Sequence, residues 1–224
     1  AYKSVDRKQD RGPCRLFRID PQRGTITGML DLPPACGHAG GLAKGPAGTL
    51  YVVDTRVVLE VALGGASDAA IGRVTKTIKL GGMVKGSFAA GSAGALWLGA
   101  FERRDGAKLY RIPHARLADG ATVTEADAAG TVPLPTEAQG AAFDAAGKLW
   151  ITRSTGKFGE LLRLDAATGA VEARHAMAAG IEDVSFDARG RLWALSEAGS
   201  RRWNDWPTFF PLVFSVDVAK LEAM

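Results

Sequence analysis

The chain has 224 residues, of which 46% are hydrophobic and 23% charged, with a formal net charge of +4. That apolar content can fill a complete core, and a single domain over residues 1–224 is the default for this length. The two charge signs are interleaved and no run of about 18 apolar residues occurs, so nucleic acid is not indicated as a partner and no membrane span is expected.

The first residues, AYKSVDRKQD, hold no apolar targeting segment. A start without Met fits a processed chain and a trimmed one equally. Cys14 and Cys36 flank a predicted hairpin, Arg15 to Ile19 and Thr25 to Leu30, joined by DPQRG. In an antiparallel pair the start of one strand lies near the end of the next, so a Cys14–Cys36 disulfide is expected. It would favour an oxidising compartment and so a secreted or periplasmic protein. Two buried free thiols are the alternative. No CxxC suggests zinc or dithiol redox chemistry.

Next come four copies of one unit: GLAKGPAGTLYVVDT from Gly41, SFAAGSAGALWLGAF from Ser87, GAAFDAAGKLWITRS from Gly140 and DVSFDARGRLWALSE from Asp183. Tyr51, Trp97, Trp150 and Trp193 follow at steps of 46, 53 and 43 residues, near the spacing of propeller blades. Small apolar residues, a turn and a β-branched or aromatic run read as strand, turn, strand. Gly48, Gly94, Gly147 and Gly190 sit where a tight hairpin demands positive φ. Further strands follow, such as Glu160 to Leu164 and Ala170 to Ala176. The expectation is an all-β propeller of four-stranded antiparallel blades, about five with the first and last incomplete, or four. The polar stretches 65–80 and 116–130 read as surface excursions, the first running into an outer strand, and the tail as a short helical turn. Aligned on the later repeats, Ala1 falls near the end of a second strand.

At GLAKGPAGTLYVVD and GAAFDAAGKLW the chain resembles the NHL repeat and the related SMP-30/gluconolactonase and strictosidine-synthase-like propellers. The resemblance covers most of Gly41 to Glu197 and implies a fold rather than a reaction. The calcium-dependent lactonase branch implies a divalent cation such as calcium, held in the channel by a Glu with several Asn or Asp. Glu182 stands where that Glu would be sought, with Asp183 beside it. The chain's one asparagine, Asn204, lies in a loop.

In a propeller, the start of each innermost strand shares a face with the loop after the second strand. His38, Lys85, Glu137, Gln139, Glu182 and Asp183 should therefore ring the channel mouth. Arg103, Arg104, Arg153, Arg201 and Arg202, with Trp203 and Trp206, should lie around them, and Arg7, Lys8 and Arg11 on the same side. Arginine forks beside aromatic rings suit carboxylates, phosphates or sugars. The first functional expectation is binding of a small anionic ligand, a saccharide or a protein segment on this face, with WNDWPTFFP as a packed plug the competing reading. The alternative is a channel-centred hydrolase or lyase with His38, Glu137 and Glu182 as its acid–base groups. A structural module of a larger assembly is the third. No GxSxG, HExxH or phosphate-loop pattern is present.

Overall fold

A computed structural model describes residues 5–9, 11–65 and 71–223. Ala1 and residues 66–70 of the first polar excursion fall outside these.

The chain forms β1 (Arg15–Asp20) and β2 (Thr25–Asp31), then β3 (Ala39–Lys44), β4 (Thr49–Asp54), β5 (Val57–Leu63) and β6 (Gly72–Leu80). β7 (Phe88–Ser92), β8 (Ala95–Gly99), β9 (Lys108–Pro113), β10 (Thr122–Val123) and β11 (Gly130–Pro133) follow. β12 (Ala138–Phe143), β13 (Leu149–Ser154), β14 (Gly159–Leu164) and β15 (Val171–Met177) precede β16 (Ile181–Phe186), β17 (Leu192–Ser196) and β18 (Val213–Val216). A helical turn, α1 (Val218–Glu222), ends the chain, capped by the Asp217 carboxylate.

Each repeat is a hairpin for a local reason. Gly48, Gly94, Gly147 and Gly190 have φ of +77°, +78°, +77° and +75°, a region costly for residues with a Cβ. Asp144 accepts the Ala146 and Lys148 amides with one oxygen and the Trp150 indole N–H with the other, all at 2.9 Å. Asp187 does the same for Arg189, Arg191 and Trp193. In the second repeat the Ser92 hydroxyl accepts from Trp97. In the second, third and fourth repeats the spacing of turn and tryptophan is thus one clasp that fixes hairpin register.

The sheets are β3-β4-β5-β6, β7-β8-β9-β11, β12-β13-β14-β15 and β16-β17-β18, each led by an innermost strand, plus the β1-β2 hairpin, which has none. Four blades therefore surround the axis, the lower of the two expected counts, rather than five. The ring closes because β16 meets β3 directly: the Leu42 amide donates to Asp183 Oδ2 at 2.7 Å across 141 residues of sequence. The 116–130 stretch also departs from expectation, since β10 adds a fifth strand, parallel to β6.

Apolar cores lie between successive sheets. One joins the first and second repeats through Tyr51, Ile78, Leu96 and Leu98, and another packs Phe88 and Trp97 on Leu149 and Ile151. Trp150 and Leu161 meet Val184 and Leu192 on the last blade, and Leu16 and Leu32 of the hairpin region meet Val52 and Leu59. The opposite face of the hairpin leaves Phe17, Ile19, Ile26 and Met29 exposed. Cys14 and Cys36 are joined by the expected disulfide, with Cα atoms 5.8 Å apart.

Candidate functional site: a carboxyl cluster at the channel mouth

Three of the four innermost strands break register at the same place. The shift falls between Ala39 and Gly41, between Ala138 and Gly140, and between Ile181 and Val184. Each is a one-residue bulge, a device that redirects a side chain next to a site. The residues set in the bulges are Gly40, Gln139 and the Glu182-Asp183 pair. The neighbouring strands lie close: a Cβ on Gly140 would fall 2.7 Å from Asp183 Cα and from the Glu182 carbonyl oxygen.

Hydroxyl groups of the second strands hold the start of β16 in place. Thr152 donates to the Glu182 carbonyl at 2.6 Å, Ser154 to that of Ile181 at 2.8 Å and Ser196 to that of Ala179 at 2.9 Å. The backbone is thereby fixed while the Glu182 and Asp183 side chains turn into a confined space. Glu182 Oε1 and Asp183 Oδ1 are buried and have no hydrogen-bond partner among the described residues.

Burial raises the Glu182 carboxyl well above the ordinary carboxylate range, and the charge of Glu197, a hydrogen bond to it and the charge of Asp183 push the same way. Burial also raises Glu197, against hydrogen bonds from the Trp203 side chain and Glu182 and the charge of Arg202. Of the two carboxyls, Glu182 is therefore the one more strongly disfavoured as an anion. Asp183 is pushed up to about 8 by burial despite accepting the Leu42 and Val184 amides.

The remaining expected residues are placed as follows. Glu137, at φ +61°, and Arg153 lie together, and Arg153 also bonds the Thr136 carbonyl and hydroxyl and Glu160. Lys85 pairs with Glu102 at 2.6 Å. The His38 backbone amide is tied to Asp54, whose carboxylate also binds the Gly37 amide and both terminal nitrogens of Arg11. Arg202 is buried and donates to the carbonyls of Asp6, Arg7 and Gln9, so the N-terminal segment lies on this face. Trp203 and Trp206 stack at 4.8 Å, and Trp206 covers Gly156 and Gly180, as the plug reading expects. Arg103, Arg104 and Arg201 are exposed and form no hydrogen bond or ion pair among the described residues. His114 follows β9 and His175 lies on β15, away from the mouth.

Glu197, Glu102 and Asp54 are missing from the sequence reading. Their signal is positional: a second strand ends on the face where an innermost strand begins, so acidic residues closing LYVVD and LWALSE belong to the same set. The cation-binding expectation at Glu182 and Asp183 is not supported by the donor set. Among the described residues, only Cys14, Cys36 and Asp54 bring three potential ligand atoms together, and both sulfurs are in the disulfide. No helix among the described residues is long and apolar enough to cross a membrane.

The fold is that of solved β-propellers. Over 91% of this chain and 83% of its own, Myxococcus xanthus glutaminyl cyclase superposes with a TM-score of 0.60 at 16% identity. A Bacteroides caccae protein of unknown function matches with a TM-score of 0.50 at 13% identity, over 88% of this chain and 69% of that one. The PQQ-bound aldose sugar dehydrogenase of Streptomyces coelicolor gives 0.45 at 16% identity, over 84% and 70%. No protein-family model and no curated protein matches the chain.

Proposed function

We propose that the protein is an acid–base enzyme, a hydrolase or lyase acting on a small polar substrate at the channel mouth. The observation that carries this reading is Glu182, set in the bulge at the start of β16 with a buried, unpartnered Oε1 and with Glu197, just after β17, as a neighbouring acid that pushes its carboxyl up. Neighbouring carboxyls in a desolvated setting disfavour the doubly ionised state, so one can serve as the acid while the other serves as the base. In this scheme Glu182 gives its proton to a developing oxyanion or leaving group, and the Glu197 carboxylate takes one from water or from the substrate carbon. Arg202 supports the charge on Glu197. Glutaminyl cyclase, with the same fold, is an enzyme by name. The disulfide favours an oxidising compartment outside the cytosol as the place of work.

The test is a turnover screen of the purified protein on γ- and δ-lactones, aryl esters and N-terminal glutaminyl peptides. A substrate should be found, and Glu182→Gln and Glu197→Gln should each lower kcat roughly 100-fold or more while circular dichroism shows both folded. Wild-type rates in both variants, or no turnover anywhere in the panel, would overturn the assignment. Ligand binding on the same face, the other functional expectation, has its own support in Arg201.

A further inference from the structure

The N-terminal segment, residues 5–9 and 11–14, is attached at two places on opposite sides of one seam. Its root is the Cys14–Cys36 disulfide, the Gly12 amide on the Gly37 carbonyl at 2.6 Å and the Arg11 guanidinium on both oxygens of Asp54 at 3.1 Å, all on the first sheet or the residues leading into it. At its tip, Arg202 donates to the carbonyls of Asp6, Arg7 and Gln9 at 2.9 to 3.1 Å. Arg7 in return donates to the Arg202 carbonyl at 3.3 Å, pairs with Asp205 and lies over the Trp203 ring at 4.6 Å. Those partners follow β17 of the fourth sheet. The segment thus crosses from the first blade to the last on the channel-mouth face, at the seam where Asp183 of β16 accepts the Leu42 amide of β3.

The tip reaches the carboxyl cluster through Arg202. That side chain is buried against the segment's carbonyls, and its charge acts on Glu197. Glu197 neighbours Glu182, whose Oε1 is shut from solvent together with Asp183 Oδ1. Carboxyls that do chemistry must be reached by a substrate, so a covering element on this face has to move. The two attachments differ in how they can let go. The root combines a covalent bond with a guanidinium on a carboxylate that is 1% exposed. The tip relies on one ion pair whose side chains are 48% and 59% exposed, and on carbonyl groups that can bond to water instead. Exposed ion pairs of this kind contribute little.

We propose that residues 5–9 and 11–12 form a strap that covers the carboxyl cluster at the seam and opens from its Arg202 end, pivoting on the Cys14–Cys36 root. Closed, the strap keeps water from the Glu182 and Asp183 oxygens; lifted, it opens a path to them along the channel mouth. The disulfide keeps the lifted strap tethered, so closure is an intramolecular step. The need for an opening rests on the acid–base reading of Glu182 and Glu197, whereas the cover itself is tested without turnover.

Carboxyl reactivity provides the readout. The full chain is treated with a water-soluble carbodiimide and glycine ethyl ester, and modification of each carboxyl is followed by peptide mass spectrometry. In the parent, Glu182 and Glu197 should react far more slowly than Asp105, which is exposed on the loop after β8. Arg7→Ala removes the tip's ion pair, ring contact and return hydrogen bond while leaving Arg202 in place, and should speed modification of both glutamates about threefold or more. Arg202→Ala should speed it about tenfold or more. Arg189→Ala, in the turn after β16, should leave it at the parent rate. Circular dichroism and an unchanged Asp105 rate show that a variant is folded, and if Arg202→Ala fails to fold, Arg7→Ala decides. Glutamates uncovered in Arg7→Ala with no turnover on any substrate would refute the acid–base reading and leave the strap standing. Parent-rate modification in Arg7→Ala, or glutamates that react in the parent as fast as Asp105, would overturn the strap.

Discussion

Asp54 and Asp183 lie on the same face, each near an innermost strand, and each accepts two backbone amides. Burial pushes both carboxyls upward. At Asp54 the Gly37 and His38 amides and the bidentate Arg11 guanidinium overcome that push, and its carboxyl is held below the ordinary range. At Asp183 burial outweighs the Leu42 and Val184 amides, the two donors that oppose it, so its carboxyl rises to about 8. The difference teaches that the fate of such a carboxyl is set by the balance between burial and the donors around it: at Asp54 two amides and then a guanidinium outweigh burial, and at Asp183 two amides alone do not. The first ties the N-terminal segment to the ring; the second belongs to a cluster able to do chemistry.

The comparison breaks most visibly at Asp54. Asp54→Asn removes the charge from a carboxylate whose side chain is 1% exposed and leaves amide hydrogens facing three donors. A loss of about 3 kcal/mol is expected, the low end for a broken buried pair because Arg11 is half exposed. Thermal unfolding should show it as a drop of several degrees.

Asp183→Asn sharpens the contrast through pH. A carboxyl with a raised folded pKa binds more protons in the fold than in the unfolded chain, so the wild type should lose stability as pH climbs from about 4 to about 8. Asp54, shifted the other way, stabilises above the ordinary carboxylate range and loses that contribution as pH falls through its folded value. The Asn variant should therefore be nearly neutral at pH 5 and more stable than wild type by about 2 kcal/mol at pH 9, allowing for partial exposure. An unchanged difference in melting temperature between pH 5 and pH 9 would rule Asp183 out as the titrating group.

The smallest effect is expected at Thr152→Val, which keeps the shape and deletes the hydroxyl bonded to the Glu182 carbonyl. About 1 kcal/mol should be lost in denaturant unfolding. A larger drop in any activity found would show that the hydroxyl positions Glu182 as well as stabilising it.

The strand–turn–strand unit is legible in the sequence because its causes are local. The four turn glycines and the Asp or Ser clasp to tryptophan all lie within a few residues of one another. The disulfide is legible for a similar reason, since it closes a single hairpin. The blade count is not: closure depends on Asp183 reaching Leu42, and nothing near either residue announces the other. β10 escapes notice because two residues carry no periodicity. At the site, Glu182 and Asp183 are legible by position in the repeat, but the bulge that turns both inward leaves no composition signal, and neither does contact with Glu197. The arginines show the converse. Composition groups Arg153, Arg202 and Arg201 together, yet the first two are held by their own protein and only the third faces solvent without a partner.

The Cys14–Cys36 link closes the β1-β2 hairpin at its base, with Arg23 in the connecting turn and its side chain 80% exposed. A protease that cut after Arg23 would divide the polypeptide without releasing a fragment, because the sulfur bridge still joins the two pieces. In the absence of a thiol reductant, the N-terminal segment that rests on Arg202 would stay attached to the ring.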